Sequence, residues 1–190
     1  MKLLLHACCA PCSVYPVDTL RNEGIEPTIY WYNHNIHPYM EYRNRRECLV
    51  DYCDMMGLEC IIDDCYGLDS FCKNVINKLN SRCVEYCYPI RLRRVFEYAR
   101  DNGYDAVSST LLYSIYQNHS VIKRIMEDLS KEFGIDFVYR DFRVGFREGQ
   151  AKARELGLYM QKYCGCIFSE EDRYKDKIEK DKKKYNDLVK

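Results

Sequence analysis

The sequence predicts an α/β protein, an open and mostly parallel sheet with helices on both faces. Three observations predict it. Short apolar runs of strand length alternate with longer segments of helical periodicity as far as about residue 156. The helical segments end at glycines, among them Gly24, Gly57 and Gly157, where a left-handed cap stops a helix. The chain has 190 residues, 47% of them hydrophobic, enough for one ordinary core and too few for two well-packed ones. Residues 1–190 are therefore expected to form one α/β domain.

Residues 2–6 are an apolar run that ends in Cys and Pro, as a buried strand would. Residues 12–22 carry Val14, Val17 and Leu20 at helical spacing. Residues 28–32, Thr-Ile-Tyr-Trp-Tyr, are β-branched and aromatic and predict a second strand. Tyr42, Leu49, Cys53 and Met56 recur at helical turns over 39–56, and 58–62 reads as a third strand. Residues 65–88 show no period and are expected to be irregular. A helix over 89–100 opens with Pro89 and precedes a strand at Ala106–Ser109. A helix over 118–133, a strand at 137–139 and a helix over 147–156 complete the alternation. Residues 169–190 are charged and read as a helical surface tail carrying Lys182-Lys183-Lys184. The order is that of a Rossmann-like sheet, in which ligands bind beyond the carboxyl ends of the strands.

Lys plus Arg is 29 and Asp plus Glu is 29, so the formal net charge is zero. No whole-molecule field draws the protein to nucleic acid or membrane; any such contact needs a local patch. The first apolar run is too short to span a bilayer, and its Cys-Cys pair is no cleavage site. A cytoplasmic, reducing setting without membrane attachment is expected, so the 12 cysteines point to metal binding or redox chemistry.

Three cysteine constellations stand out. In His6-Ala7-Cys8-Cys9-Ala10-Pro11-Cys12, the adjacent pair resists mutual bonding because its joining peptide prefers trans. The two thiolates can instead face neighbouring metals or one cluster, at a helix N-terminus that lowers thiol pKa values. Cys83 and Cys87 form a C-x₃-C just before a helix, and with Cys8 and Cys9 they make four. Four thiolates suit a [4Fe–4S] cluster or a Cys₄ zinc site. The adjacent pair is a poor hook for a single tetrahedral ion, so spacing favours the cluster. Cys164-Gly165-Cys166 closes only a strained disulfide ring, which suits a redox-active pair or chelation of a second metal. Cys48, Cys53 and Cys60 read as buried thiols, and Cys65 and Cys72 flank the irregular segment. Residues 33–38, Asn-His-Asn-Ile-His-Pro, follow the second strand and are read as either pocket lining or loop. Neither a Walker-type loop nor a glycine-rich turn follows the first strand, where cysteines replace phosphate-binding glycines.

These motifs, with Arg82, Tyr88, Arg91-Leu92, Ser109-Thr110-Leu111-Leu112, Ser114, Tyr116, Gln117, Asp141-Phe142-Arg143 and Gln161-Lys162-Tyr163, resemble the QueH type of epoxyqueuosine reductase over residues 2–169. The resemblance implies a fold shared with ATP-pyrophosphatase-like (HUP) enzymes but lacking their ATP loop. It implies conversion of epoxyqueuosine to queuosine at the tRNA wobble position, the last step of queuosine synthesis. It assigns Cys8, Cys9, Cys83 and Cys87 to a [4Fe–4S] cluster and Cys164 with Cys166 to a redox-active pair. A second, mononuclear iron is implied as an option, with Cys12 its candidate ligand. The family's middle pair is usually C-x₂-C, so the wider Cys83/Cys87 spacing leaves Cys72 or Cys12 as substitutes for Cys83.

Tyr116 and Asp141 are candidate proton donors by motif membership alone, and an external electron donor is required. Salt-sensitive tRNA binding is expected at one of four basic groups: Arg43, Arg45 and Arg46; Arg91, Arg93 and Arg94; Arg140 and Arg143; or the lysine tail. The competing functions are tRNA sulfur transfer, with a persulfide on Cys164 or Cys166, and a zinc-binding structural or nucleic-acid module.

Overall fold

A computed structural model describes residues 1–186 of the chain. Five parallel strands form one sheet in the order β3-β2-β1-β4-β5. β1 (Leu3–His6) lies at its centre, paired on one side with β2 (Pro27–Trp31) and on the other with β4 (Ala106–Ser109). Every residue of these three strands is buried, which accounts for the unbroken run Leu3-Leu4-Leu5; His6, Thr28, Ser108 and Ser109 are buried polar members. β3 (Cys60–Ile62) and β5 (Asp136–Phe137) are short edges. The strand expected at 137–139 thus starts one residue earlier and ends at Phe137.

The connections are α1 (Ala10–Asn22), α2 (Tyr39–Met56), α3 (Leu68–Val75), α4 (Tyr88–Asp101), α5 (His119–Phe133) and α6 (Phe146–Glu155), followed by α7 (Ile167–Asn186). α1 leads from β1 to β2 and packs on α6, whereas α4 and α5 pack on one another beside β4. The chain order reverses direction at β1, where β2 is added to one side and β4 to the other. The carboxyl ends of β1 and β4 therefore frame the crevice in which an open α/β sheet binds ligands.

The stretch 65–88 is more regular than its sequence suggests. It contains α3 and a π-helical turn, Cys83–Cys87, that runs directly into α4. A second, smaller apolar cluster forms around α3, uniting Phe71, Val75, Cys87 and Cys166. α7 presents no buried residue, in keeping with the expected charged tail; Asp187 to Lys190 lie outside the described residues. Among the described residues no helix is long and apolar enough to cross a membrane.

Candidate metal and redox centre

β1 delivers the chain to the crevice, and Cys9 in extended conformation turns it into α1. Pro11 fits the first turn of α1, where its missing N–H is not needed. This geometry gathers the sulfurs of Cys8, Cys9 and Cys12 within 4.8 Å of one another. Cys8 and Cys9 are 3.8 Å apart, sulfur to sulfur. Cys8 N–H donates to Thr110 Oγ1 (3.1 Å), and the Thr110 hydroxyl approaches Cys8 Sγ at 3.5 Å. Hydrogen bonds from Cys12 and Cys9 hold the Cys8 thiol well below its ordinary range, with Arg91 adding to them. Burial pushes the Cys9 thiol up, and hydrogen bonding to Cys8 pushes Cys12 up. Of the three, Cys8 is the thiol whose anion its neighbours favour.

His6 supports this turn from the sheet. Its Nε2 meets the Tyr32 carbonyl at 3.3 Å, an acceptor only, so the ring hydrogen belongs there and Nδ1 accepts from Ser109 Oγ (3.0 Å). Burial, reinforced by Arg91, lowers the His6 pKa to about 3, so the ring is neutral.

Arg91, on α4, is 4% exposed and donates to Asn33 Oδ1, while Asn33 Nδ2 donates to the Ala7 carbonyl (2.9 Å). Arg91 makes no carboxylate ion pair among the described residues, and its Nε has no partner. A buried guanidinium requires a compensating anion. The groups it stabilises as anions are the thiols of Cys8 and Cys83.

Cys83 and Cys87 stand at the two ends of the π-helical turn, which carries both sulfurs to one face. A hydrogen bond from Cys87 lowers the Cys83 thiol to about 6, assisted by Arg82 and Arg91. The same bond pushes Cys87 far up. This pair lies outside the tight Cys8–Cys9–Cys12 group, the one such metal-ligand cluster among the described residues. Cys72 packs at the edge of the cluster around Phe71 and does not join the triad.

The C-x-C segment is held by side chains from distant elements. Arg45 of α2 is 2% exposed, pairs with buried Glu41 at 2.6 Å, and donates to the carbonyls of Tyr163 and Cys164, each at 2.9 Å. Tyr163 O–H donates to the His37 carbonyl (2.7 Å), and His37 N–H to the Gly165 carbonyl (2.8 Å). Gly165 has φ +151°, and a Cβ there would meet Ile36 Cγ1 at 3.2 Å, which requires glycine. Gln117 Nε2 donates to Cys164 Sγ (3.1 Å), and Tyr88 O–H donates to Gln117 Oε1 (2.7 Å), fixing which end of the amide faces the sulfur. Cys164 is exposed at the cleft; desolvation raises its thiol pKa, and the Gln117 hydrogen bond opposes that rise. Cys166 is buried in the apolar cluster with Phe71, Val75 and Cys87. Gln161 reaches the first constellation, donating to Cys9 Sγ (3.0 Å) and Cys12 Sγ (3.5 Å).

A cleft of about 1180 Å³ opens over these groups, with Cys8, Cys12 and Cys164 among its lining residues. Tyr116 also lines it, 81% exposed. Asp141 does not line it: the carboxylate caps the short helix at Phe142–Gly145 and is bound by Arg143, which holds its pKa at about 2. In this structure Asp141 is engaged by Arg143 and stands apart from the cleft lining. The basic groups read from sequence also change. Arg43, Arg46, Arg93, Arg94, Arg140 and Arg143 are each paired with a carboxylate, and Arg45 and Arg91 are buried. Gln161, Gln117 and Arg91 were visible only as motif members, because their partners lie in other segments of the chain.

A family model described as epoxyqueuosine reductase QueH matches residues 3–172. Among curated relatives, the epoxyqueuosine reductase QueH of Dehalococcoides mccartyi is 38% identical, across 91% of this chain and 94% of its own. Those of Acinetobacter baylyi (33% identical, 90% and 81%) and Thermotoga maritima (31%, 88% and 89%) are also similar. A crystal structure described as a predicted subunit of tRNA methyltransferase from Methanocaldococcus jannaschii shares the fold, with TM-score 0.53 and 13% identity over 80% of this chain and 75% of that one.

Proposed function

The chain belongs to the epoxyqueuosine reductase QueH family, and on that basis we propose that it reduces epoxyqueuosine in tRNA to queuosine. Both epoxide C–O bonds break, the cyclopentene double bond forms, and oxygen leaves as water. The change consumes two electrons and two protons. Oxidation of the Cys164 and Cys166 thiols to a disulfide releases the same number of each. Neither Asp141 nor the exposed Tyr116 hydroxyl is then needed as a proton donor. Two electrons from an external donor, delivered singly and taken up with two protons, restore the dithiol, and the reaction belongs in a reducing cytoplasm.

The ligands in this reading are Cys8, Cys9, Cys83 and Cys87 for a [4Fe–4S] cluster, with Cys12 beside them for a second iron. The donor chemistry fits: soft sulfur ligands, three of them within 4.8 Å of one another, with a buried arginine that lacks a carboxylate lowering the Cys8 and Cys83 thiols. Bound there, the group supplies single-electron transfer and a Lewis acid for the epoxide oxygen. The chain's own residues prepare the rest. Gln117 directs a donor at Cys164 Sγ, Tyr88 orients that amide, and Arg45 fixes the loop through two carbonyls. The observation that carries the reading is the family match over 3–172, joined to a cleft that holds Cys8, Cys12 and Cys164 together.

The test is anaerobic purification with iron, zinc and sulfide analysis, followed by assay on epoxyqueuosine-containing tRNA with a chemical reductant and nucleoside analysis. The expected results are iron with inorganic sulfide and formation of queuosine. A colourless zinc protein, or an iron–sulfur protein that forms no queuosine, overturns the reading.

A further inference from the structure

Most arginines of the described chain are neutralised by a nearby carboxylate. Those without one are Arg91, Arg124, Arg147, Arg154 and Arg173. Arg147, Arg154 and Arg173 line the same cleft, and so does the exposed, unpaired Lys162. They stand on α6, on α7 and in the segment joining them. Of the acidic cleft residues, Asp172 is paired with Arg82, leaving Asp176 against the four cations. In a chain of zero net charge, three excess positive charges around one opening are a localised feature. Aromatic residues also line it: Tyr116 stands out into solvent, edge-on to Phe146 with ring centroids 5.9 Å apart. The cleft also exceeds the roughly 300–1,000 Å³ usual for small-molecule sites.

Resting on the reading above, we propose that this cleft seats single-stranded RNA. Arg147, Arg154, Lys162 and Arg173 take phosphates, and Tyr116 stacks on a base flanking the nucleotide that reaches the cysteines. The chemistry matches that of a looped strand. Spaced cations follow its backbone, an aromatic face held by a second ring receives an unstacked base, and the reacting end lies at the cleft floor. The paired arginines contribute little, because binding through them first requires breaking an ion pair.

The test is the salt dependence of binding between the full chain and an anticodon stem-loop RNA, measured by fluorescence anisotropy between about 50 and 200 mM salt. Four phosphate contacts give a slope of log K against log salt of about −2.8. Arg147→Gln, Arg154→Gln, Lys162→Gln and Arg173→Gln each reduce its magnitude by about 0.7. Tyr116→Ala weakens binding about fivefold or more without changing the slope. Arg43→Gln and Arg140→Gln, at paired sites away from the cleft, leave both quantities as in the wild type. All the substituted residues are exposed, and an unchanged thermal midpoint verifies folding. Wild-type binding with unaltered slopes in the four cleft variants overturns the surface assignment while leaving the reductase reading intact. Absence of wild-type binding at any salt overturns both.

Discussion

The Cys8–Cys12 turn and the Cys164–Cys166 loop serve the same cleft but are built in opposite ways. The first is made by local backbone: a buried strand ends, an extended residue and a proline begin a helix, and three sulfurs converge within five residues. The second has no regular element of its own. It is held by Arg45, His37 and Gln117, side chains or backbone groups that arrive from far away in sequence. The difference teaches that one cysteine group is fixed by topology and the other by tertiary hydrogen bonds. The first should fail chemically when its sulfurs are removed, and the second should fail when its supports are.

The largest expected effect separates the two groups outright. Cys8→Ala or Cys9→Ala abolishes bound iron and sulfide, whereas Cys164→Ala retains both and loses activity; metal analysis beside the tRNA assay measures this. Iron loss in Cys164→Ala would show that the loop is a ligand and end the distinction.

Next is the support of the loop. Arg45→Leu leaves Glu41 buried without its cation and is expected to cost about 3–5 kcal/mol by chemical denaturation. Arg45→Leu with Glu41→Leu should recover much of that stability while the loop stays unclamped and activity stays low. Full activity in the double variant would mean that the clamp is only structural.

Acid acts on both regions. Burial lowers His6 to about 3 and His34 and His37 to about 4, while an unfolded histidine titrates near 6.5. The unfolded chain therefore binds more protons below about 6.5. Stability is full above that pH and falls as pH drops toward 4, by up to about 1.4 kcal/mol per pH unit for each ring. Equilibrium denaturation across that range measures the slope, and a flat profile contradicts the neutral assignments.

The smallest effect is the most specific. Gln117→Leu removes the donor to Cys164 and should make the Cys164/Cys166 couple harder to reduce by about 1 kcal/mol, or about 20 mV. Its metal content should match the wild type. An unchanged potential with diminished activity would assign Gln117 to substrate contact instead.

The same contrast decides what the sequence revealed. Leu3-Leu4-Leu5 and the glycine stops are local signals, and they led to the central strands, their crossovers and the first cysteine turn. α3 escaped notice because it is one short helix with two buried residues and no side-chain cap. The π-helical turn at Cys83–Cys87 gave no sign in the sequence either, because its two cysteines sit four apart, a spacing that also shares a face in an ordinary α-helix. Charge runs are incomplete signals for a related reason. Arg93, Arg94 and Arg140 look like patches, but Glu132, Asp63 and Glu23 reach them from other elements. Arg147 and Arg154 are seven residues apart on α6, a spacing no charge run marks, and Arg173 of α7 joins them only as part of the cleft lining.

The charge balance of that cleft has a consequence for approach. Because the whole chain sums to zero, three excess positive charges at the opening leave an equal negative excess over the rest of the molecule. A polyanion arriving from solution is drawn to one side and repelled by the others. The protein turns to present its cysteine-floored face before any contact forms, and salt within a Debye length of the surface erodes this steering. Neutrality here is a means of orientation.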